Sequence, residues 1–158
     1  MTTLYSSVRD RSRASEHAVV LWRDLYVPAR DAAKLLPGLG KRLQGKLSLI
    51  VPGSATTLPI ALMLTSAPQA SDWRIELRFS SPAGVRHFFE GHLRLENVSP
   101  RAARVMLLGR FAFPRDEVPE HVDEATLRDI AEDNVICIFE RLLLEIESAT
   151  AVAASKAR

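Results

Sequence analysis

The feature that most limits how this chain can fold is a stretch without glycine or proline over residues 122–148. Apolar residues recur there every three or four positions, which is the spacing of one face of an α-helix. The stripe comprises Leu127, Ile130, Ala131, Asn134, Val135, Ile138, Leu142 and Ile146. The pattern predicts a helix well beyond the usual ~11–12 residues. Its long apolar face requires an equally large apolar partner.

The residues around the start of this helix indicate where it begins. An aspartate just before a helix can accept a hydrogen bond from a backbone N–H of the first turn, and Asp123 stands at that position. Glu124 and Asp129 place negative charge near the positive end of the helix dipole. We predict that Asp123 caps the helix, with Thr126 three positions further on.

The clearest strand pattern is DWRIELRFS at residues 72–80. Apolar and polar residues alternate in it, which is typical of an antiparallel strand with one buried face. The apolar set is Trp73, Ile75, Leu77 and Phe79. Further strands are predicted at 17–27, 46–51, 57–65, 87–96 and 104–113, and short helices at 29–36 and 39–44. Short turns between consecutive strands favour an antiparallel meander, and this sheet is the partner that the long helix needs.

A single domain explains this order of elements. A chain of 158 residues is long enough to bury most of its apolar surface, and no linker or repeat interrupts residues 16–149. Residues 1–15 are polar without a sustained period, and residues 150–158 are small and loosely patterned. We predict that both of these segments are flexible tails.

The composition argues against several classes of protein. The net charge is only +2, and the sequence has no basic face interleaved with aromatic residues, so no nucleic-acid partner is expected. No apolar run reaches the length of a membrane span, and residues 1–16 lack the apolar core of a signal peptide, so we expect a cytoplasmic protein. Cys137 is the only cysteine, which rules out an internal disulfide or a cysteine-rich zinc site. Its apolar neighbours predict a small buried side chain.

Residues 87–96, HFFEGHLRLE, combine residue types that often carry chemistry. His87 and His92 are five positions apart, so a regular strand would place them on opposite faces and keep them from sharing a metal ion. Glu90 shares a face with His92, which permits an acid–base pair. The charged residues that continue this face indicate a solvated surface instead, and we prefer that interpretation. We assign no catalytic residue, no metal and no cofactor.

Asn134 is the one polar member of the apolar helix stripe. A buried amide forms hydrogen bonds, because leaving it without a partner costs about 1–3 kcal/mol. Two interpretations stay open. Asn134 bonds to the sheet backbone or to buried water, or it anchors a polar group of a bound ligand.

The order of elements resembles the SRPBCC (START/polyketide cyclase-like) superfamily, in particular a bacterial branch of it. The resemblance rests on DWRIEL, FFEGHLRLE, RVMLLGRFAFP and the helix DIAEDNVICIFERLLLEIE, and it spans residues 17–147. The strand before the helix ends in glycine, aromatic residues and proline, as in that branch: Gly109, Phe111, Phe113 and Pro114. Two features depart from the family. Six strands are predicted where seven are common, and residues 115–121 are acidic where related sequences are often glycine-rich.

The resemblance implies an α+β helix-grip fold, in which a curved antiparallel sheet of six to seven strands wraps around the long C-terminal helix. Two short helices follow the first strand. It also implies a cavity between sheet and helix that holds a hydrophobic or amphipathic small molecule, lipid-like or polyketide-like, as in a carrier or sensor. The residues expected to contact this ligand are Trp73, Ile75, Leu77, Phe89, Leu93, Leu95, Asn134, Ile138 and Leu142.

Other functions remain open from the sequence. The same apolar side chains can fill the space and leave no cavity. A cyclase- or aromatase-like enzyme on this scaffold would need a polar pair that faces inward. A homodimeric interaction module with a filled core is the third hypothesis, because residues 57–65 are apolar on both faces and Met106 and Leu108 fall on the outer side of the sheet.

Overall fold

The computed structural model describes residues 5–7, 16–54, 56–66 and 72–156 of the chain. The strands are β1 (Tyr5–Ser7), β2 (His17–Leu25), β3 (Ser48–Ile50), β4 (Thr57–Pro59), β5 (Ala61–Ser66), β6 (Asp72–Ser81), β7 (Gly84–Ser99) and β8 (Ala102–Phe111). The helices are α1 (Ala29–Leu35), α2 (Leu39–Arg42) and α3 (Glu124–Lys156), with 3₁₀ turns at Leu36–Gly38 and Arg115–Glu117. None of the described helices is long and apolar enough to cross a membrane.

Within these described ranges the main sheet has six strands in the order β1-β2-β8-β7-β6-β5, and every neighbouring pair is antiparallel. The sheet is curved, and its inner face packs against α3. The apolar residues of β6 all point inward and are buried, as their alternation predicts. The predicted α+β architecture is therefore confirmed: a curved antiparallel sheet, a long C-terminal helix, and short helices after β2, the strand predicted first.

The strand predicted at 57–65 is in fact two strands. Pro59 ends β4, and the buried Ile60 donates its backbone N–H to the carbonyl of Leu47 at 3.0 Å. This bond continues the β3-β4 pairing by one residue, and directly after Ile60 the chain forms β5, which pairs with β6 at the edge of the main sheet. The apolar pattern on both faces of 57–65 therefore belongs to two strands in two sheets.

Helix α3 begins as predicted and ends later than predicted. The backbone N–H of Thr126 donates to Oδ1 of Asp123 at 2.7 Å, so the predicted cap is confirmed. The helix continues to Lys156 instead of ending near residue 148. Alanine, the best helix former, dominates this last part, and Ala149 still packs against the body of the protein.

The structure describes parts of both segments that were predicted to be flexible tails. At the C-terminal end, residues 150–156 continue helix α3. At the N-terminal end, residues 5–7 form β1 and pair with β2. Residues 1–4, 8–15 and 157–158 lie outside the described residues, and the flexibility of both segments stays a prediction.

Cys137 corrects another prediction, because its side chain is exposed. Its position in α3 places it away from the buried stripe, next to the buried Ile138 and the half-buried Ile136. Apolar neighbours in sequence therefore do not bury a helical residue, since successive residues of a helix face directions about 100° apart.

Candidate functional site

The residues predicted to contact a ligand lie together in the core between the sheet and α3. They are all buried: Trp73, Ile75, Leu77, Phe89, Leu93, Leu95, Asn134, Ile138 and Leu142. Side chains around a cavity wide enough for a ligand would have accessible surface, yet Ile75 and Leu93 have 0% and Leu142 has 1%. At these positions the space between sheet and helix is filled by side chains.

The side-chain amide of Asn134 forms two hydrogen bonds with the backbone of Ile50 in β3. The backbone N–H of Ile50 donates to its Oδ1 at 2.8 Å, and its Nδ2 donates to the carbonyl of Ile50 at 2.9 Å. This is the backbone-bond interpretation of Asn134. The amide thus pairs with both backbone polar groups of Ile50, as a neighbouring strand would, and it connects α3 to the small sheet.

A concave surface of ligand size exists elsewhere, at one end of the main sheet. This cleft has a volume of about 530 Å³ and lies between the first half of β7, the end of β8 and the segment that follows β8. Its lining residues are Glu16, Arg86, His87, Phe88, Phe89, Glu90, Arg110, Phe111, Ala112, Phe113, Pro114, Arg115 and Asp116. Phe89 is the single predicted ligand residue among them.

A β-bulge in β7 shapes this cleft and corrects the predicted orientation of His87. On β6, Leu77 pairs with Phe89 and Arg78 pairs with His87. Phe88 therefore has no partner residue on β6. The extra residue reverses the alternation before it. Phe88 and Phe89 are therefore both buried, while His87 is exposed on the outer face, the same face as His92.

The bulge also assembles an aromatic cluster under the cleft. The ring of Phe88 lies 5.0 Å from the ring of Phe113 and 6.4 Å from the ring of Phe111, measured between centroids. Both distances are within the range of favourable tilted aromatic pairs. These rings are almost fully buried, so they form the packed base of the cleft and expose little surface to it.

Ion pairs hold the rim of the cleft in place. Arg86 binds Asp116 through two hydrogen bonds of 2.8 and 3.0 Å, and it reaches Glu117 at 3.2 Å. The hydrogen bond from Arg86 holds the pKa of Asp116 below its usual value, and the same bond raises the pKa of Arg86. This fork joins the start of β7 to the segment between β8 and α3.

A shallower depression of about 400 Å³ adjoins the cleft on the outer face of the sheet. Its floor is the backbone of Gly91 and Gly109, which face each other across β7 and β8. A Cβ on Gly91 would lie only 2.6 Å from the Cα of Gly109, so only glycine allows the two strands to approach this closely. Glu90 and Arg110 border both concave surfaces, and the two surfaces therefore meet at this pair.

The outer face of β7 is solvated, which is the interpretation preferred from the sequence. Glu90, His92, Arg94 and Glu96 are all exposed. His92 contacts Asp72 at 3.1 Å between Nδ1 and Oδ1, an ordinary surface contact. Among the described residues, no group of three or more His, Cys, Asp or Glu side chains has the geometry of a metal site.

Sequence reasoning missed most of the cleft, although one signal for it was present. Adjacent Phe88 and Phe89 interrupt an alternating strand, and two neighbouring apolar residues in such a pattern indicate a bulge. The arginines of the rim carried no comparable signal. Their positions depend on how β7, β8 and the following segment meet in space.

Comparisons with known proteins support the fold alone. No protein-family model matches the chain, and no curated protein matches it either. The crystal structure of protein Ms6760 from Mycobacterium smegmatis is similar at 8% identity, over 87% of this chain and 92% of that chain, with a TM-score of 0.51. A protein from Arthrobacter aurescens is similar at 12% identity, over 92% of this chain and 91% of that chain, with a TM-score of 0.50.

A third similar structure is the Zhui aromatase/cyclase from Streptomyces sp. R1128, at 15% identity over 84% of this chain and 94% of that chain. Its TM-score of 0.46 is too low to support an inference. At identities this low a common architecture does not imply a common activity. The function has to be argued from the residues of the cleft.

Proposed function

We propose that this protein binds a small amphipathic molecule in the cleft beside the β7 bulge and acts as a carrier or sensor of that molecule. One observation carries the proposal: the cleft is a concave surface of about 530 Å³, bordered by both apolar and charged residues, whereas the core is packed. Ligand sites usually have volumes of about 300–1,000 Å³ and combine an apolar surface with a few polar groups. The resemblance to the SRPBCC superfamily supports binding as the general function and does not identify the ligand.

This proposal moves the ligand away from the position expected from the sequence. A ligand under α3 would have to displace side chains such as Ile75 and Leu142, which have almost no accessible surface. Truncating one such buried side chain to alanine typically costs about 2–5 kcal/mol, so losing the packing of several of them would be strongly unfavourable. A ligand in the cleft needs no such rearrangement, so the cleft is the better site.

The apolar part of the cleft can supply only part of the affinity. A bicyclic ligand that buries about 150 Å² of apolar surface gains about 4 kcal/mol at about 25 cal/mol per Å². That free energy corresponds to a Kd of about 1 mM. Binding in the micromolar range therefore needs a polar contact from the rim in addition to the apolar surface.

The test uses a neutral apolar dye and a substitution that fills the cleft. N-phenyl-1-naphthylamine, whose fluorescence rises in apolar surroundings, is titrated into the wild-type protein and the variant Ala112→Phe. Ala112 lines the cleft, and the larger side chain would occupy it. We expect Ala112→Phe to weaken dye binding about tenfold or more, because the ligand loses most of its apolar contact.

Ala102→Phe is the matched control, since Ala102, at the start of β8, is half-buried like Ala112 and borders neither concave surface. This control is expected to bind the dye as the wild type does. Ala112→Leu, a smaller insertion, replaces Ala112→Phe if circular dichroism shows that the larger variant is unfolded. Undiminished dye binding by a folded cleft-filling variant would refute the proposal.

A further inference from the structure

Four arginine side chains border the cleft or the adjoining depression, and three of them already have acceptors within the protein. Arg86 is bound to Asp116 and Glu117. Arg74 lies 3.4 Å from Glu76, measured between Nε and Oε1. Arg86 is neutralised by its two carboxylate partners, whereas Arg74 shares the carboxylate of Glu76 with Arg78.

Arg115 is bound to backbone carbonyls. Its Nη2 donates to the carbonyl oxygen of Glu120 at 2.9 Å and to that of Val122 at 2.8 Å. Its Nη1 is buried and has no hydrogen-bond partner among the described residues. Arg115 orders the segment before α3 through Nη2, and its buried Nη1 is less accessible to a ligand than an exposed guanidinium would be.

Arg110 is the exception. It is exposed on the outer face of β8, and in register it stands between Glu90 on β7 and Ala18 on β2. In the part of the chain that the structure describes, Arg110 makes no ion pair and no side-chain hydrogen bond, even with Glu90. Ala18 is too small to cover it, so its donors are accessible from both concave surfaces.

The other charged and titratable residues at this site are Glu16, Glu90 and His87 on the cleft and His92 on the depression. The carboxylates of Glu16 and Glu90 repel negative charge and so disfavour a ligand with several acidic groups, whereas the N–H donors of Arg110 can compensate for one acidic group. A guanidinium presents its N–H donors as a planar fork that matches a carboxylate or sulfonate. Arg110 is thus suited to a ligand with one acidic group.

We propose that Arg110 binds the acidic group of the ligand, so that the protein selects amphipathic monoanions, such as carboxylic or sulfonic acids, over neutral molecules of the same shape. This inference rests on the proposed function, because it assigns a ligand class to the same cleft. The apolar body of the ligand lies along Ala112 and Pro114, and its acidic group reaches the point where cleft and depression meet. Arg110 supplies the polar contact that the apolar surface alone lacks.

The experiment compares two dyes that share one ring skeleton. N-phenyl-1-naphthylamine is neutral, and 8-anilinonaphthalene-1-sulfonate is the same skeleton with a sulfonate. We expect the wild-type protein to bind the sulfonate dye about tenfold or more tighter than the neutral dye, as is typical of a hydrogen-bonded charged pair. Arg110→Gln is expected to abolish this preference, because it weakens binding of the sulfonate dye much more than binding of the neutral dye.

Arg101→Gln is the matched control, because Arg101 is an exposed arginine that borders neither surface and loses the same charge. It is expected to keep the preference for the sulfonate dye. If the neutral dye binds in the cleft but the sulfonate dye binds no tighter, or if Arg110→Gln keeps the preference, the inference is wrong and the proposed function stands. If neither dye responds to filling of the cleft at Ala112, the proposed function itself is wrong.

Discussion

The substitution Gly91→Ala offers the sharpest test of how β7 and β8 meet at the centre of the sheet. The new Cβ would lie 2.6 Å from the Cα of Gly109 and 2.8 Å from the carbonyl carbon of Leu108, and closer still to the carbonyl oxygen of Leu108. Carbon atoms in favourable contact are about 3.5–4.0 Å apart. The obstacles are backbone atoms, so no side chain can rotate away to make room.

The magnitude follows from what must move. Restoring a normal contact requires the two strands to separate by about 1 Å, which lengthens the hydrogen bonds of the β7-β8 ladder on either side. Overpacking of this kind typically costs about 1–3 kcal/mol, and each net hydrogen bond weakened adds about 0.5–1.5 kcal/mol. We expect Gly91→Ala to lower the free energy of unfolding by about 3 kcal/mol. For a protein of this size the Tm would fall by about 6–12 °C.

The assay is urea unfolding followed by far-ultraviolet circular dichroism, with Gly38→Ala as the control. A Cβ on Gly38 would meet nothing within 4 Å, and the φ of Gly38 is −95°, which alanine adopts without strain. That variant is expected to be unchanged or more stable by about 0.4–1 kcal/mol, because alanine restricts the unfolded chain. If Gly91→Ala lost less than about 1 kcal/mol, the close approach of the two strands would be refuted.

Two further predictions concern α3. Asn134→Leu removes both hydrogen bonds to the backbone of Ile50, and we expect a loss of about 2–4 kcal/mol in urea unfolding; a loss below about 1 kcal/mol would show that water replaces the amide at little cost. The hydrogen bond from the backbone N–H of Thr126 keeps the pKa of Asp123 below its usual value. The stability that the ionised carboxylate contributes is therefore present above pH ~4 and is lost as the pH falls through the lower pKa of the folded state. Asp123→Asn keeps a cap that does not titrate, so the Tm of the wild type relative to this variant should be constant above about pH 5 and should fall as the pH drops below about 4; a difference that stays constant below pH ~4 would contradict the assignment.

Local periodicity was sufficient to predict the main elements. The alternation in β6 depends only on residues that are adjacent in the chain, and every apolar member of that strand is buried as predicted. The cap at Asp123 is equally local, because donor and acceptor are three residues apart. The end of α3 was missed, since the helix propensity of alanine was outweighed in the prediction by the absence of a clear apolar stripe after residue 148.

Pairing between strands could not be derived in the same way. A bulge is defined by what lies opposite, and the positions of His87 and Phe88 became clear only once Arg78 and Leu77 were placed across from them. The division of residues 57–65 into β4 and β5 has the same cause, because each half pairs with a different partner. Single-strand patterns carry no information about these partners.

The sequence by itself determined that the protein has a half-buried antiparallel sheet and one long amphipathic helix, because periods of two and of about 3.6 residues are written along the chain. Only the tertiary structure decided that the core is packed, that Asn134 bonds to Ile50, and that Arg110 stands uncommitted beside a cleft. Asn134 and Ile50 are 84 positions apart in the chain. Contacts over such distances depend on how curved surfaces fit together, and the order of residues along one element does not encode that fit.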